Sequence, residues 1–229
     1  MIKIEHLETH GWEAAFRGMR NPKNSWAKSD SYTGCKYGEC YTTCDEADYR
    51  ECRGESAEFI VGAADHRLAM QLAKGGSVHA KYRRMLIVTC DITAPTFWWA
   101  EFDTYKVGTV RNSCSKMHKI HVKPFVLDDF THEGCFEVEY ALDALHSVIE
   151  TCERLRKDFN RTQEKKYWRA LIELLPEGFN LKATVQFDYE NLTAMCSPDQ
   201  RRFHKLDEWP YFCNYMHDNL PYPEMFWGE

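Results

Sequence analysis

The stretch FWWAEFDTYKVGTVRNSCSKMHKI, residues 97–120, starts aromatic and ends polar, and the fold turns on how it is read. Phe97, Trp98 and Phe102 recur at helical spacing, which predicts a buried helical face, with Glu101, Tyr105 and Lys106 projecting elsewhere. Pro95 stands near the start of this helix, a position proline tolerates, and the helix is expected to reach roughly Tyr105. After Gly108 come Thr109, Arg111, Asn112, Ser113, Ser115, Lys116 and His118. These hydroxyl, amide and cationic groups suit phosphate oxygens and the edge of a base. Two readings stay open on pattern alone: a solvated loop after a buried helix, and a helix that delivers a ligand-binding loop to a nucleotide.

Upstream, MLIVTCDI (85–92) is apolar and β-branched and predicts a buried strand. SVHAKYRR (77–84) is read as a basic helix capped by Ser77, and Ala64–Ala73 as a helix stopped by Gly75 and Gly76. Trp12, Ala15, Phe16 and Met19 predict a helix ending at Asn21-Pro22, and residues 1–7 a first strand. Downstream, residues 134–159 and 162–175 form two long amphipathic segments, followed by a short strand (183–188) and a helix (189–195). The C-terminal stretch is partly helical, with Pro210 expected to interrupt it and Pro221 and Pro223 to end it. The expected fold class is α/β (α+β): one helix-rich domain over residues 1–229 with a small central sheet and a Cys-rich insertion at about 32–58.

With 44% hydrophobic and 14% aromatic residues, 229 residues suffice for a real core. A net charge of −6 argues against nucleic acid as a partner, and no apolar run is long enough to span a membrane. The N-terminal residues lack a signal-peptide pattern, so a cytoplasmic protein with mostly reduced thiols is expected despite ten cysteines. Cys35, Cys40, Cys44 and Cys52 form a Cys-x4-Cys-x3-Cys-x7-Cys cluster that could close a zinc site, although it contains no Cys-x2-Cys knuckle. RRFHKLDEW (201–209) offers Arg201, Arg202 and His204 to an anion, or is a surface helix with internal ion pairs. No Rossmann fingerprint, phosphate-binding Walker loop or Gly-x-Ser-x-Gly elbow occurs.

The order of these segments resembles the flavin-dependent thymidylate synthase family. The likeness rests on GMRNPKNSWAKSDS (18–31), WWAEFDTYKVGTVRNSCSKMHKI (98–120), LLPEGFN (174–180), YENL (189–192) and HKLDEW (204–209), and covers most of the chain outside the Cys-rich stretch. The family signature is Arg-His-Arg-x7-Ser followed shortly by Arg-Tyr. Ser115 takes the serine's place and Asn112 that of the asparagine in the Asn-Glu pair, whose glutamate becomes Ser113; Met117-His118 replaces Arg-Tyr. Strict spacing puts Tyr105-Lys106-Val107 at Arg-His-Arg; one inserted residue puts Thr104-Tyr105-Lys106 there and keeps a cation in place.

The resemblance implies reductive methylation of dUMP or a related pyrimidine nucleotide with FAD, methylenetetrahydrofolate and NADPH, in a homotetramer. The alternative is a re-purposed, non-catalytic nucleotide-binding protein of the same fold. It further implies Thr104, Tyr105, Lys106 and Asn112 toward the cofactor. Arg111, Ser113, Ser115, His118 and His204 face the nucleotide, and Ser115 with Arg201 or Arg202 serves the reaction. His118, His204 and Glu208 are candidates for proton handling or positioning.

Overall fold

The computed structural model describes residues 2–35 and 57–228. In chain order, β1 (Lys3–His10) leads into α1 (Trp12–Arg20), and β2 (Tyr32–Cys35) pairs antiparallel with β3 (Ala57–Ile60) ahead of α2 (Ala63–Lys74). Next come β4 (Ile87–Pro95), α3 (Thr96–Phe102), β5 (Val110–Ser113) and the short α4 (Lys116–Lys119). A helical arm follows, made of α5 (Glu133–Phe136), α6 (Glu139–Thr162) and α7 (Lys165–Leu174). The chain closes with β6 (Asn180–Asp188), α8 (Tyr189–Met195), α9 (Pro198–Phe203) and α10 (Glu208–Asn219). The outcome is the helix-rich α/β fold expected, with one antiparallel four-stranded sheet in the order β1-β4-β6-β5.

Strand alternation decides which face is covered. Val88, Cys90, Ile92 and Ala94 of β4 are buried, and so are Leu181, Ala183, Val185 and Phe187 of β6. The aromatic residues of α3 join this core: Trp98 lies 5.6 Å from Trp209 and 5.4 Å from Phe212 of α10, and Phe102 lies 6.2 Å from Phe187. Trp99 donates its indole N–H to the Leu181 carbonyl at 3.1 Å, so this helix is fastened to β6 as well as packed on it. On the other sheet face, Lys182 bridges Glu5 (3.3 Å) and Asp91 (3.2 Å), and Thr184 donates to Asp91 at 2.6 Å.

Three local expectations change. Residues 110–113 are an edge strand, with Val110 opposite Gln186 and Ser113 opposite Ala183, so half of the supposed loop has its backbone in the ladder. The basic segment 77–84 is not an α-helix. It passes a turn and enters a 3-10 helix at Lys81–Met85, with Tyr82 buried and its hydroxyl donating to the Ala69 carbonyl at 3.0 Å. Gly76, at φ +83°, follows α2, and its carbonyl accepts the His79 and Ala80 N–H groups, both at 3.0 Å, so residues 77–80 close a turn. Pro210 does not interrupt α10; it lies in the first turn, where backbone N–H groups have no intrahelical acceptor to lose.

The 18–31 motif finds its explanation in packing. Arg20 and Asp65 are buried and joined by a 2.6 Å contact from Nε to Oδ1. Asp65 Oδ2 accepts from Ser29 Oγ, Ser31 Oγ and the N–H groups of Asp30 and Ser31, at 2.7, 2.6, 3.1 and 3.0 Å. Asp30 returns the favour by accepting the Ala64 and Asp65 N–H groups at 2.8 and 3.0 Å, which caps α2 from outside the helix. Burial pushes the Asp65 carboxyl up, but the bonds from Ser31, Ser29 and Arg20 outweigh it and leave the carboxyl below its ordinary range.

Candidate functional site

Two groupings emerge from the 97–120 stretch. The first is a cavity of about 340 Å³ beyond the end of β5. Ser115 caps α4 by accepting the His118 N–H at 3.3 Å, and Trp168 of α7 donates to the Met117 carbonyl at 3.2 Å, which holds this turn against the helical arm. Ser115, Lys116, Lys119 and Lys123 line the cavity from this side, and Asn180 and Lys182 from β6. Phe125, Phe179 and Ile120 give it an apolar wall. Among the described residues Lys116, Lys119 and Lys123 have no carboxylate within ion-pair distance, whereas Lys182 is shared between Glu5 and Asp91. Asp128 and Asp129 also line the space, and Asp129 accepts the Val126 N–H at 3.0 Å. With Lys182 compensated by Glu5 and Asp91, the three other ammonium groups face two carboxylates, which leaves a net positive charge at a concave, partly apolar space, the setting that concentrates an anion.

The second grouping joins the end of α3 to the C-terminal helices. Tyr105 stacks on Trp209 with ring centres 5.6 Å apart and planes 18° from parallel; His204 stacks on the same indole at 4.9 Å and 21°. His204 Nε2 lies 3.0 Å from Gln200 Oε1 and 3.7 Å from Glu101 Oε1. Burial first, and the Glu101 carboxylate second, raise the Tyr105 phenol above its ordinary range, so it stays a neutral hydroxyl at physiological pH. The turn that carries Tyr105 into β5 needs Gly108: at φ +84°, a Cβ there would lie 2.9 Å from Asp188 Oδ2 and 3.2 Å from Asn191 Oδ1. Asn191 Nδ2 also donates to the Val107 carbonyl at 2.7 Å, so α8 and this turn are locked together.

The remaining sequence candidates separate. Thr104 is exposed, and its hydroxyl donates to the Glu101 carbonyl at 2.8 Å. Lys106 is exposed, with no ion-pair partner among the described residues. Asn112 and Ser113 are exposed on the edge strand. Arg111 is held inside the protein's own contacts, 2.7 Å from Asp103 and with its guanidinium 4.6 Å from the Trp99 ring centre. Arg201 stacks on Trp227 at 3.7 Å, and Arg202 pairs with Asp199 at 2.8 Å. Thus Ser115 lines the cavity, Tyr105 and His204 meet at Trp209, and Arg111, Arg201 and Arg202 are engaged elsewhere. Cys40, Cys44 and Cys52 of the expected zinc site lie outside the described residues; among the described residues no group of three or more His, Cys, Asp or Glu could hold a metal ion. Lys119, Lys123 and Lys182 were not singled out in the sequence. The spacing Ser115-x3-Lys119-x3-Lys123 was the available signal for the first two.

No family model matches the sequence, and no curated protein matches it. Solved structures do. A crystal structure of Thymidylate Synthase X (ThyX) from Helicobacter pylori with FAD and dUMP superposes with a TM-score of 0.64 at 13% identity, covering 99% of this chain and 97% of that one. A second structure of the flavin-dependent thymidylate synthase ThyX from the same organism, complexed with FAD and dUMP, gives the same TM-score and identity over 98% of this chain. At this identity the likeness defines the fold, and the described residues have a divergent ThyX-like fold. Among the described residues no helix is long and apolar enough to cross a membrane.

Proposed function

We propose that the protein binds a pyrimidine nucleotide through its phosphate in the lysine-lined cavity, as a ThyX-like nucleotide-binding protein whose flavin grip has been rebuilt. The carrying observation is the set of Lys116, Lys119 and Lys123, without carboxylate partners among the described residues, around the Ser115 hydroxyl. Lysine ammonium groups neutralise a phosphate dianion, Ser115 Oγ donates to one of its oxygens, and the wall of Phe125, Phe179 and Ile120 receives sugar and base. The structural neighbours, both holding dUMP, support this ligand class.

The residues at the flavin-gripping positions do not fit FAD in the usual way. Thr104 offers a hydroxyl already bonded to a carbonyl, and Tyr105 lies against Trp209. Lys106 is the single cation in that set, where a pyrophosphate calls for more. The second reading, reductive methylation of dUMP with FAD, methylenetetrahydrofolate and NADPH in a homotetramer, is favoured by the FAD in both neighbours. In that reading Glu101, His204 and the neutral Tyr105 hydroxyl would form a polar edge beside the buried Trp209. The visible absorbance of freshly purified protein, followed by FAD titration, separates the two. A stoichiometric flavin establishes the flavoenzyme reading; a colourless protein that binds dUMP but not FAD establishes the first.

A further inference from the structure

The 18–31 motif has an outer side that the Arg20–Asp65 network does not use. With α1 and the β2–β3 pair it encloses a cavity of about 290 Å³. This space shares no lining residue with the lysine-lined cavity. Arg17 and Arg20 from α1 line it, with Trp26 from the motif and Tyr32 and Phe59 from the strand pair. Arg20 is 4% exposed, yet its Nη2 has no hydrogen-bond partner. Asp65 does not supply one, because Oδ1 meets Nε and Oδ2 is taken up by four other donors. Arg17 lies one turn earlier on the same helix, exposed, with no ion-pair partner among the described residues. Glu13, the carboxylate of the cavity, accepts the Thr33 hydroxyl at 2.7 Å.

The aromatic side is equally specific. Trp26 is 52% exposed, but its indole N–H is fixed to Asn21 Oδ1 at 2.7 Å, so the ring is held in place while much of its surface stays open. Tyr32 is also exposed, and Phe59 packs against the core. A guanidinium nitrogen left without an acceptor in a buried setting is costly, and its natural complement is a carboxylate or phosphate oxygen. Open aromatic surface beside that cation favours a flat ring over an aliphatic chain.

We infer that this cavity is a second ligand site, for a small aromatic anion: a planar ring carrying one carboxylate or phosphate. The oxyanion meets Arg17 and Arg20, and the ring lies against Trp26 and Tyr32. The site is independent of the nucleotide reading, and the two stand or fall separately.

The test is titration of the full chain with phenyl phosphate and with benzoate, followed by calorimetry and by ligand-observed NMR, with inorganic phosphate and benzyl alcohol as controls. The expected result is saturable binding of at least one aromatic anion, tighter than either control; the tighter of the two names the oxyanion. Arg17→Ala and Trp26→Ala, both at exposed positions, should each weaken it about tenfold, the scale of one charge-assisted or stacking contact. Lys119→Ala should remove only the phenyl phosphate that enters the lysine-lined cavity and leave the Arg17- and Trp26-dependent binding unchanged. Absence of saturable binding overturns the inference. So does binding that neither Arg17→Ala nor Trp26→Ala weakens, or that Lys119→Ala weakens instead.

Discussion

Replacing Asp65 with Asn probes the way this fold is held together. The change keeps the side chain's shape and removes its charge. Five donors converge on the carboxylate: Arg20 Nε on Oδ1, and Ser29 Oγ, Ser31 Oγ and the Asp30 and Ser31 N–H groups on Oδ2. An amide cannot satisfy them all. If its NH2 takes the Oδ2 position it faces four donors, and if it takes the Oδ1 position it faces a buried guanidinium. Breaking a buried ion pair by removing one partner costs about 3–5 kcal/mol. For a chain of this size that lowers Tm by roughly 6–20 °C, at about 2–4 °C per kcal/mol. Urea unfolding followed by tryptophan fluorescence should show a lower midpoint with an unchanged slope. The pH dependence has a fixed sign. Because the folded carboxyl is lowered, its contribution is complete above the unfolded value of about 3.9 and is lost as pH falls through the folded value, so the gap between wild type and variant should close in acid. Asp30→Ala, which removes only the cap on α2, should cost less, about 0.5–2 kcal/mol. A loss below about 1 kcal/mol for Asp65→Asn would refute the view that this network holds the 18–31 segment to α2.

Other expectations follow from the same geometry. Gly108→Ala forces a side chain into a positive-φ position 2.9 Å from Asp188 Oδ2, and should destabilise the protein by about 1–3 kcal/mol in thermal melts. Burial pushes the Cys90 thiol up to about 12 and the Cys152 thiol to about 11, whereas Cys114 is exposed; an aromatic disulfide reagent at neutral pH should label Cys114 quickly and the other two only on unfolding. The Arg156 guanidinium, ahead of the opposing effect of burial, holds the Glu153 carboxyl at about 2, and Glu153 Oε2 accepts the Phe125 N–H at 3.2 Å. Glu153 should therefore titrate near 2 by carboxyl NMR. Its contribution is complete above the unfolded value of about 4.3 and is lost as pH falls toward 2, and Glu153→Gln should loosen Phe125 in the cavity wall and weaken nucleotide binding.

Much of this architecture was legible in the residues, for stated physical reasons. The Trp98/Phe102 spacing marked a buried helical face, and the apolar, β-branched run at 85–92 marked a central strand, which begins at Ile87. The helix at 189–195 was recovered with its bounds. Edge strand 110–113 was hidden because Val110, Asn112 and Ser113 are exposed and carry no alternating apolar pattern; only pairing with β6 makes them a strand. Pro210 misled because the rule that proline breaks helices holds for helix interiors and not for the first turn. At the candidate site, the motif pointed to Ser115, which lines the cavity, whereas Lys182 comes from a strand far along the chain and could not be paired with it from local pattern. Local pattern could not show that the arginines stack: Trp99 and Trp227 cover one guanidinium face of Arg111 and of Arg201.

Titration of dUMP into the purified protein at low salt, by calorimetry, is the deciding measurement for the lysine-lined cavity. Saturable binding is expected, weakened about tenfold by Lys119→Ala and by Ser115→Ala, and falling as salt rises. Failure of dUMP to bind, or binding that neither substitution alters, would contradict the assignment of the nucleotide phosphate to this cavity.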